Sequence, residues 1–306
     1  MKRVMLILLI IIIICASGIS IFLNKDELFS NKQEGSNAVQ NNIENNVVID
    51  NQIAEEINTE EQSKTTNGTI TSSNNFRNDF EIDVTLNINN RNIHHSRYIP
   101  ENIDELEEIS LYITLPGWEG LYFQGVGSNL VEDFYWVAKD MNPNMIILAP
   151  QLDDWGEQSA EDTILLTEYY KETYNVENIY INGLSGGGET LSLVLDKRPD
   201  LYKKALLVSS KWDGGYDNVV NAKVPVYFFI GENDSYYGSD NFKETYNILY
   251  SNYEEQGLSS EEIDELLILD VKNHEYFTSH GFSDEHAGCG LAAHEEDIMK
   301  WLLEID

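Results

Sequence analysis

The chain has 306 residues, with 19 Lys+Arg against 53 Asp+Glu, for a formal net charge of −34. Phosphate binding needs a basic face that releases counterions, so this balance argues against nucleic acid and against a polybasic contact with anionic lipid. An apolar fraction of 42% is enough to build a sizeable core. Two cysteines, Cys15 and Cys289, make no disulfide framework, so folding has to rest on that core.

Lys2-Arg3 precedes an uninterrupted apolar stretch, residues 4–23. At about 1.5 Å per residue this stretch spans roughly 30 Å, the thickness of a bilayer core. Three readings stand open: an uncleaved signal-anchor (a transmembrane helix), a signal peptide cut at Ala16-Ser17-Gly18, or a lipidated Cys15. Each leaves Lys2 and Arg3 in the cytoplasm and exports the rest of the chain. The expected location is the cell membrane with the folded part outside, or the extracellular medium if the segment is removed.

Residues 24–75 hold 12 Asn, no Trp, Tyr or Pro, and one aromatic residue, Phe29. Such a stretch buries too little apolar surface to offset the entropy of ordering, and it is expected to be a disordered tether. Residues 76–306, expected as one domain, carry 14 basic and 44 acidic side chains, a net −30, so the acidity belongs to the domain.

Residues 81–88 (EIDVTLNI) alternate polar and apolar with period two and predict a half-buried antiparallel strand, with 95–99 as its partner. His94-His95 in this hairpin is expected to face solvent. A third strand, 109–115, ends at Pro116-Gly117. A helix over 130–140 leads to the apolar strand 145–149, and a helix over 160–174 to the strand 178–182 (NIYIN). A small helix follows Ser185, then strands 205–209 and 224–230, a helix over 242–256, a last strand 266–271, and a closing helix over 295–304. Antiparallel strands followed by repeated strand–helix units predict an α/β fold with a mostly parallel sheet, helices on both faces and ligand loops at the carboxyl ends of the strands.

Gly183-Leu184-Ser185-Gly186-Gly187 fits G-x-S-x-G, directly after one predicted strand and directly before a helix. That context turns a weak motif into a nucleophile elbow, with the Ser185 hydroxyl raised above the sheet. The amide of Gly186 then stands ready to hold an oxyanion.

With this motif, the region from Ile109 onward resembles the α/β-hydrolase superfamily, nearest its extracellular esterases and prolyl-oligopeptidase-like hydrolases. The resemblance implies a triad in the order nucleophile, acid, histidine. Asp234 stands in the family's G-x-x-D turn, Gly231-Glu232-Asn233-Asp234, with Glu232 as the alternative acid. The histidine falls after the last strand, where His274, His280, His286 and His294 lie. His286 is favoured because the family's histidine lies about 15 residues before an apolar segment like Trp301-Leu302-Leu303; His280 is the alternative. The loop Leu115–Gly120 departs from the HGGG form of lipases, and the resemblance assigns the second oxyanion donor to the Trp118 amide.

Loops at this edge of the sheet carry Trp118, Trp155, Trp212 and Tyr236-Tyr237, which predicts a stacking-competent cleft with Trp155, Trp212 and Tyr236 as substrate contacts. The short stretch between 209 and 224 leaves no room for a large lid domain. Cys289 reads as a small loop residue. His and acid residues lie close together in 274–294, but neither a HExxH motif nor a cysteine pair accompanies them, so no metal and no cofactor is expected. The expected function is a membrane-tethered, extracytoplasmic serine hydrolase acting on small or short polymeric carboxylic esters. The alternatives are a prolyl-oligopeptidase-like peptidase, or a hydrolase-like surface binding module without catalysis.

Overall fold

Four short strands (β5 Ser110–Leu115, β6 Ile146–Pro150, β7 Asn178–Leu184, β8 Lys204–Val208) are almost wholly buried along their length. Continuous apolar runs of this kind are what a parallel sheet needs when both faces are covered. The structure, a computed structural model, describes residues 67–305, all within the unit Gln62–Asp306. The apolar stretch 4–23 and residues 24–66 of the expected tether lie outside the described residues. Among the described residues, no helix is long and apolar enough to cross a membrane.

The remaining strands are β1 Gly68–Thr71, β2 Phe76–Arg77, β3 Phe80–Ile88, β4 Arg91–Tyr98, β9 Val226–Gly231 and β10 Leu267–Lys272. They complete a ten-stranded sheet in the order β1-β3-β4-β6-β5-β7-β8-β9-β10, with β2 paired to β3 off this path. Strands β5 to β10 pair in parallel, whereas β1, β3 and β4 run antiparallel to their neighbours. The hairpin β3–β4 closes through Asn89-Asn90, both with positive φ, a conformation asparagine tolerates in two-residue turns.

Helices cover both faces, so alternate strand residues enter two apolar layers. Ile113, Ile146 and Leu207 pack under α2 Glu157–Tyr174, α3 Gly186–Lys197, α4 Asp217–Ala222 and α5 Asp240–Glu255. Tyr112, Ile147 and Leu206 pack under α1 Phe134–Met141 and α8 Glu296–Leu303. Two shorter helices, α6 Ser260–Leu266 and α7 His274–Ser279, flank β10. The parallel part of the sheet begins at β5, adds β6 on one side and then β7 on the other. The reversal opens a crevice above the carboxyl ends of β5 and β7, the place where such sheets bind ligands. The architecture is the expected α/β-hydrolase fold, and only α4 separates β8 from β9 where a lid domain would be inserted.

Three expectations are corrected here. The tether does not run to Asn75, because Gly68–Thr71 pairs antiparallel with β3, from Gly68 opposite Ile88 to Thr71 opposite Thr85. A composition averaged over the whole stretch hides this four-residue edge strand, whose Ile70 packs against the core. His95 does not face solvent: β4 lies between β3 and β6, and its His95 is fully buried with Nε2 2.8 Å from the Tyr170 hydroxyl. The helix expected from 130 begins at Phe134, after a 3₁₀ turn at Ser128–Val131.

Candidate active site

Ser185 is held at φ 53°, ψ −124° between β7 and α3, and its amide donates to the Val208 carbonyl at 2.9 Å. A non-glycine residue held in this region costs about 1–3 kcal/mol, which the surrounding packing must sustain. The flanking glycines explain how. A Cβ on Gly183 would sit 2.4 Å from the Gly187 carbonyl oxygen, and one on Gly187 would sit 2.3 Å from that of Leu115. Side chains at either position would force the turn open. Gly186 has a different neighbour, the ring of Trp155, which a Cβ there would strike at 2.0 Å.

The loops after β9 and β10 meet above Ser185. Its Oγ lies 3.1 Å from Nε2 of His286, and Nδ1 of the same ring lies 2.9 Å from Oδ2 of Asp234. The Asp234 side chain is fully buried, while the His286 side chain keeps 22% exposure on the cleft side. Asp234 Oδ1 accepts from the amides of Tyr236 and Tyr237 at 3.0 and 2.8 Å. Burial pushes this carboxyl up, but the His286 hydrogen bond and charge and the two amides outweigh it, leaving it below the ordinary carboxylate value. An ionised Asp234 holds the imidazole proton on Nδ1 and leaves Nε2 free to accept from the Ser185 hydroxyl.

Glu285 joins the two loops. It accepts from the Asn233 amide at 2.6 Å and from Asn233 Nδ2 at 3.2 Å, and it lies 3.1 Å from His274 Nδ1. On the other flank Tyr237 donates to Glu189 at 2.5 Å, while Lys211 Nζ stands 3.4 Å from Glu189.

A cavity of about 880 Å³ opens over Ser185, lined by Trp118, Trp155, Tyr236, Tyr237, Phe282 and Glu132 among others. Trp118 is 53% exposed, pairs with Trp155 at 6.1 Å, and opens the 3₁₀ turn Trp118–Gly120 after β5. Tyr236 lies 5.5 Å from the His286 ring. Trp212, expected as a substrate contact, does not line this cavity. It folds back into the core, stacked on Tyr216 at 5.8 Å and tilted against Phe228 at 6.2 Å. The loop after β8 is long enough for its Trp to reach apolar cover, which burial rewards more than a place on the rim.

The alternative histidine, His280, is exposed, and its Nδ1 lies 2.7 Å from the Tyr276 carbonyl. The alternative acid, Glu232, is exposed beside buried Asp234. His294 pairs with Asp133 at 2.8 Å on the rim, and Cys289, expected in a loop, begins the 3₁₀ turn Cys289–His294, where burial pushes its thiol up. Among the described residues, no cluster of His, Cys, Asp and Glu could hold a metal ion. Sequence reasoning missed Glu132, Glu189 and Glu285, since each is one carboxylate among 53 with no motif around it. Only the position of Glu285 beside His286 could have drawn attention to it.

Residues 152–287 match the sequence model of the prolyl oligopeptidase family. No curated protein matches the chain. Among solved structures, a thermostable esterase superposes with a TM-score of 0.59 at 20% identity, covering 74% of this chain. The chain spans 63% of that esterase's length. Est1E from Butyrivibrio proteoclasticus gives 0.48 at 14% identity, over 72% of this chain and 97% of its own. Oligopeptidase B from Leishmania major gives 0.46 at 14% identity, over 74% and 37%. Fold and elbow together define the class: the chain has the α/β-hydrolase fold, and residues 152–287 resemble the prolyl oligopeptidase family. At 20% identity the thermostable esterase shows the shared fold alone.

Proposed function

We propose that the protein is a carboxylesterase working through Ser185, His286 and Asp234. The observation that carries this reading is the continuous chain from Ser185 Oγ to His286 at 3.1 Å and on to Asp234 at 2.9 Å, opening into an aromatic cavity. Ser185 Oγ attacks the ester carbonyl carbon while its proton passes to Nε2 of His286, and the carbonyl electron pair moves onto oxygen. The amides of Gly186 and Trp118 hold that oxyanion, each worth roughly 3–4 kcal/mol in sites of this kind. On collapse the bond to the leaving oxygen breaks, and His286 returns the proton to it. Water then attacks the acyl-enzyme by the same route and releases the acid. Trp155 and Tyr236 provide stacking surface for an apolar or aromatic substituent.

Ester rather than peptide substrates are favoured by the open cleft with its largely apolar wall. The prolyl oligopeptidase match over 152–287 supports a peptidase as the second reading. The strong negative charge of the domain disfavours anionic substrates under either. Placement outside the cytoplasm rests on Lys2-Arg3 and the apolar stretch behind them.

Hydrolysis of matched p-nitrophenyl esters and peptide p-nitroanilides tests the reading. Turnover of esters at least about a hundredfold faster, in kcat/KM, than of any anilide is expected. Preference for an anilide would overturn the esterase in favour of the peptidase.

A further inference from the structure

Glu132 stands in the cleft without a part in the mechanism above. Its Oε1 accepts from the Gly117 amide at 2.7 Å. Gly117 in turn lies against the nucleophile: a Cβ there would be 3.4 Å from both Glu132 Oε1 and Ser185 Cβ. The Gly117 carbonyl is also bonded, by the Gly120 amide at 3.1 Å. A trans peptide sets the following N–H opposite its carbonyl, so this bond turns the Trp118 amide away from Gly120. That amide leads the 3₁₀ turn and has no partner within it. The Gly117–Trp118 peptide is thus pinned on one side by Glu132 and on the other by the turn.

The carboxyl that does the pinning is half-buried. Burial pushes it up to about 8, nearby Glu119 adds to this, and the Gly117 amide only partly offsets both. The groups facing it are Tyr112 from β5, Glu119 from the turn, Tyr135 from α1 and Cys289 from beyond the histidine loop. Asp133 with its partner His294, and Ser185 with His286, share the cavity.

We propose that Glu132 is the positioning residue of the oxyanion loop, holding the Gly117–Trp118 peptide through the Gly117 amide. It holds the Gly117 amide with its carbonyl oxygen and leaves no negative charge beside the developing oxyanion. The inference rests on the serine-esterase reading above. Ionisation of Glu132 would set like charge near the oxyanion and slow acylation roughly tenfold or more.

The test is hydrolysis of p-nitrophenyl acetate by wild type, Glu132→Gln and Glu132→Ala, from roughly pH 6 to pH 9.5, with melting curves for each. Wild-type kcat/KM is expected to fall through a limb near pH 8, where the carboxyl titrates. Glu132→Gln keeps the acceptor oxygen and cannot ionise, so it should remain active and lose that limb. Glu132→Ala should lower kcat about ten- to hundredfold with little change in KM, as expected when an oxyanion donor is misplaced. A limb that persists in Glu132→Gln overturns the inference, whether or not Glu132→Ala folds. A folded wild type that neither turns over the ester nor reacts with a fluorophosphonate overturns the esterase reading and this inference with it. An active wild type with the limb unmoved overturns the inference alone.

Discussion

The Glu285 carboxylate accepts from the backbone amide of Asn233 at 2.6 Å, so neighbours of His286 and of Asp234 are bonded to each other. Neither loop belongs to a strand or helix at that point, and the distance from His286 to Asp234 is set by how they dock. Replacing Glu285 by Ala should leave the Asn233 amide unsatisfied and cost about 1–3 kcal/mol of stability. Activity should fall more steeply than stability, because a misplacement of about 1 Å in a catalytic group costs on the order of a hundredfold in rate. Melting temperature and kcat measured on the same sample check both. Full activity in a destabilised variant would mean that the loops dock without this bond.

The two histidine candidates are separable. His286→Ala should lose about a thousandfold or more in kcat, and Asp234→Asn about ten-thousandfold, since it favours the wrong imidazole tautomer. His280→Ala should change kcat by less than about twofold, because its ring nitrogen lies by Ser279 and Tyr276 of α7, the helix just before it. Steady-state ester hydrolysis by the three variants decides the matter.

Two tryptophans named together from the sequence should behave differently. Trp212→Ala should destabilise the fold by about 3–5 kcal/mol, as a large core truncation does, and leave KM nearly unchanged in the protein that remains folded. Trp155→Ala should raise KM and lower kcat, since the ring lines the cavity and covers Gly186. Urea unfolding and ester kinetics on both variants separate the roles.

His95 gives the fold an acid sensitivity. Burial lowers its imidazole from 6.5 to about 3, so the folded chain keeps it neutral where the unfolded chain protonates it. Below its ordinary value the unfolded state binds more protons, and stability falls as the pH drops from 6.5 toward 3. The full window is worth roughly 3–5 kcal/mol at about 1.4 kcal/mol per unit. Melting curves across that range should be flatter in His95→Gln than in wild type, and an equal slope would contradict the assignment.

Much of this organisation was legible in the chain because the relevant signals are local. The strand residues 178–184 and the glycines around Ser185 are contiguous, and the elbow follows from their sterics. Asp234 and His286 were expected from their places after β9 and β10, and the parallel sheet brings those two places together at one edge. The features that stayed hidden depend on contacts across the fold. Glu132 matters only because Gly117 is near it, and Trp212 is a core residue only because Tyr216 and Phe228 receive it. Gly68–Thr71 is a strand only because β3 offers an edge.

An activated Ser185 can be captured covalently. Wild type and Ser185→Ala are treated with a fluorophosphonate, and the intact mass and the modified peptide are read by mass spectrometry. A single adduct on Ser185 is expected in wild type and none in Ser185→Ala. A folded wild type that stays unmodified, or an adduct that survives in Ser185→Ala, would contradict it.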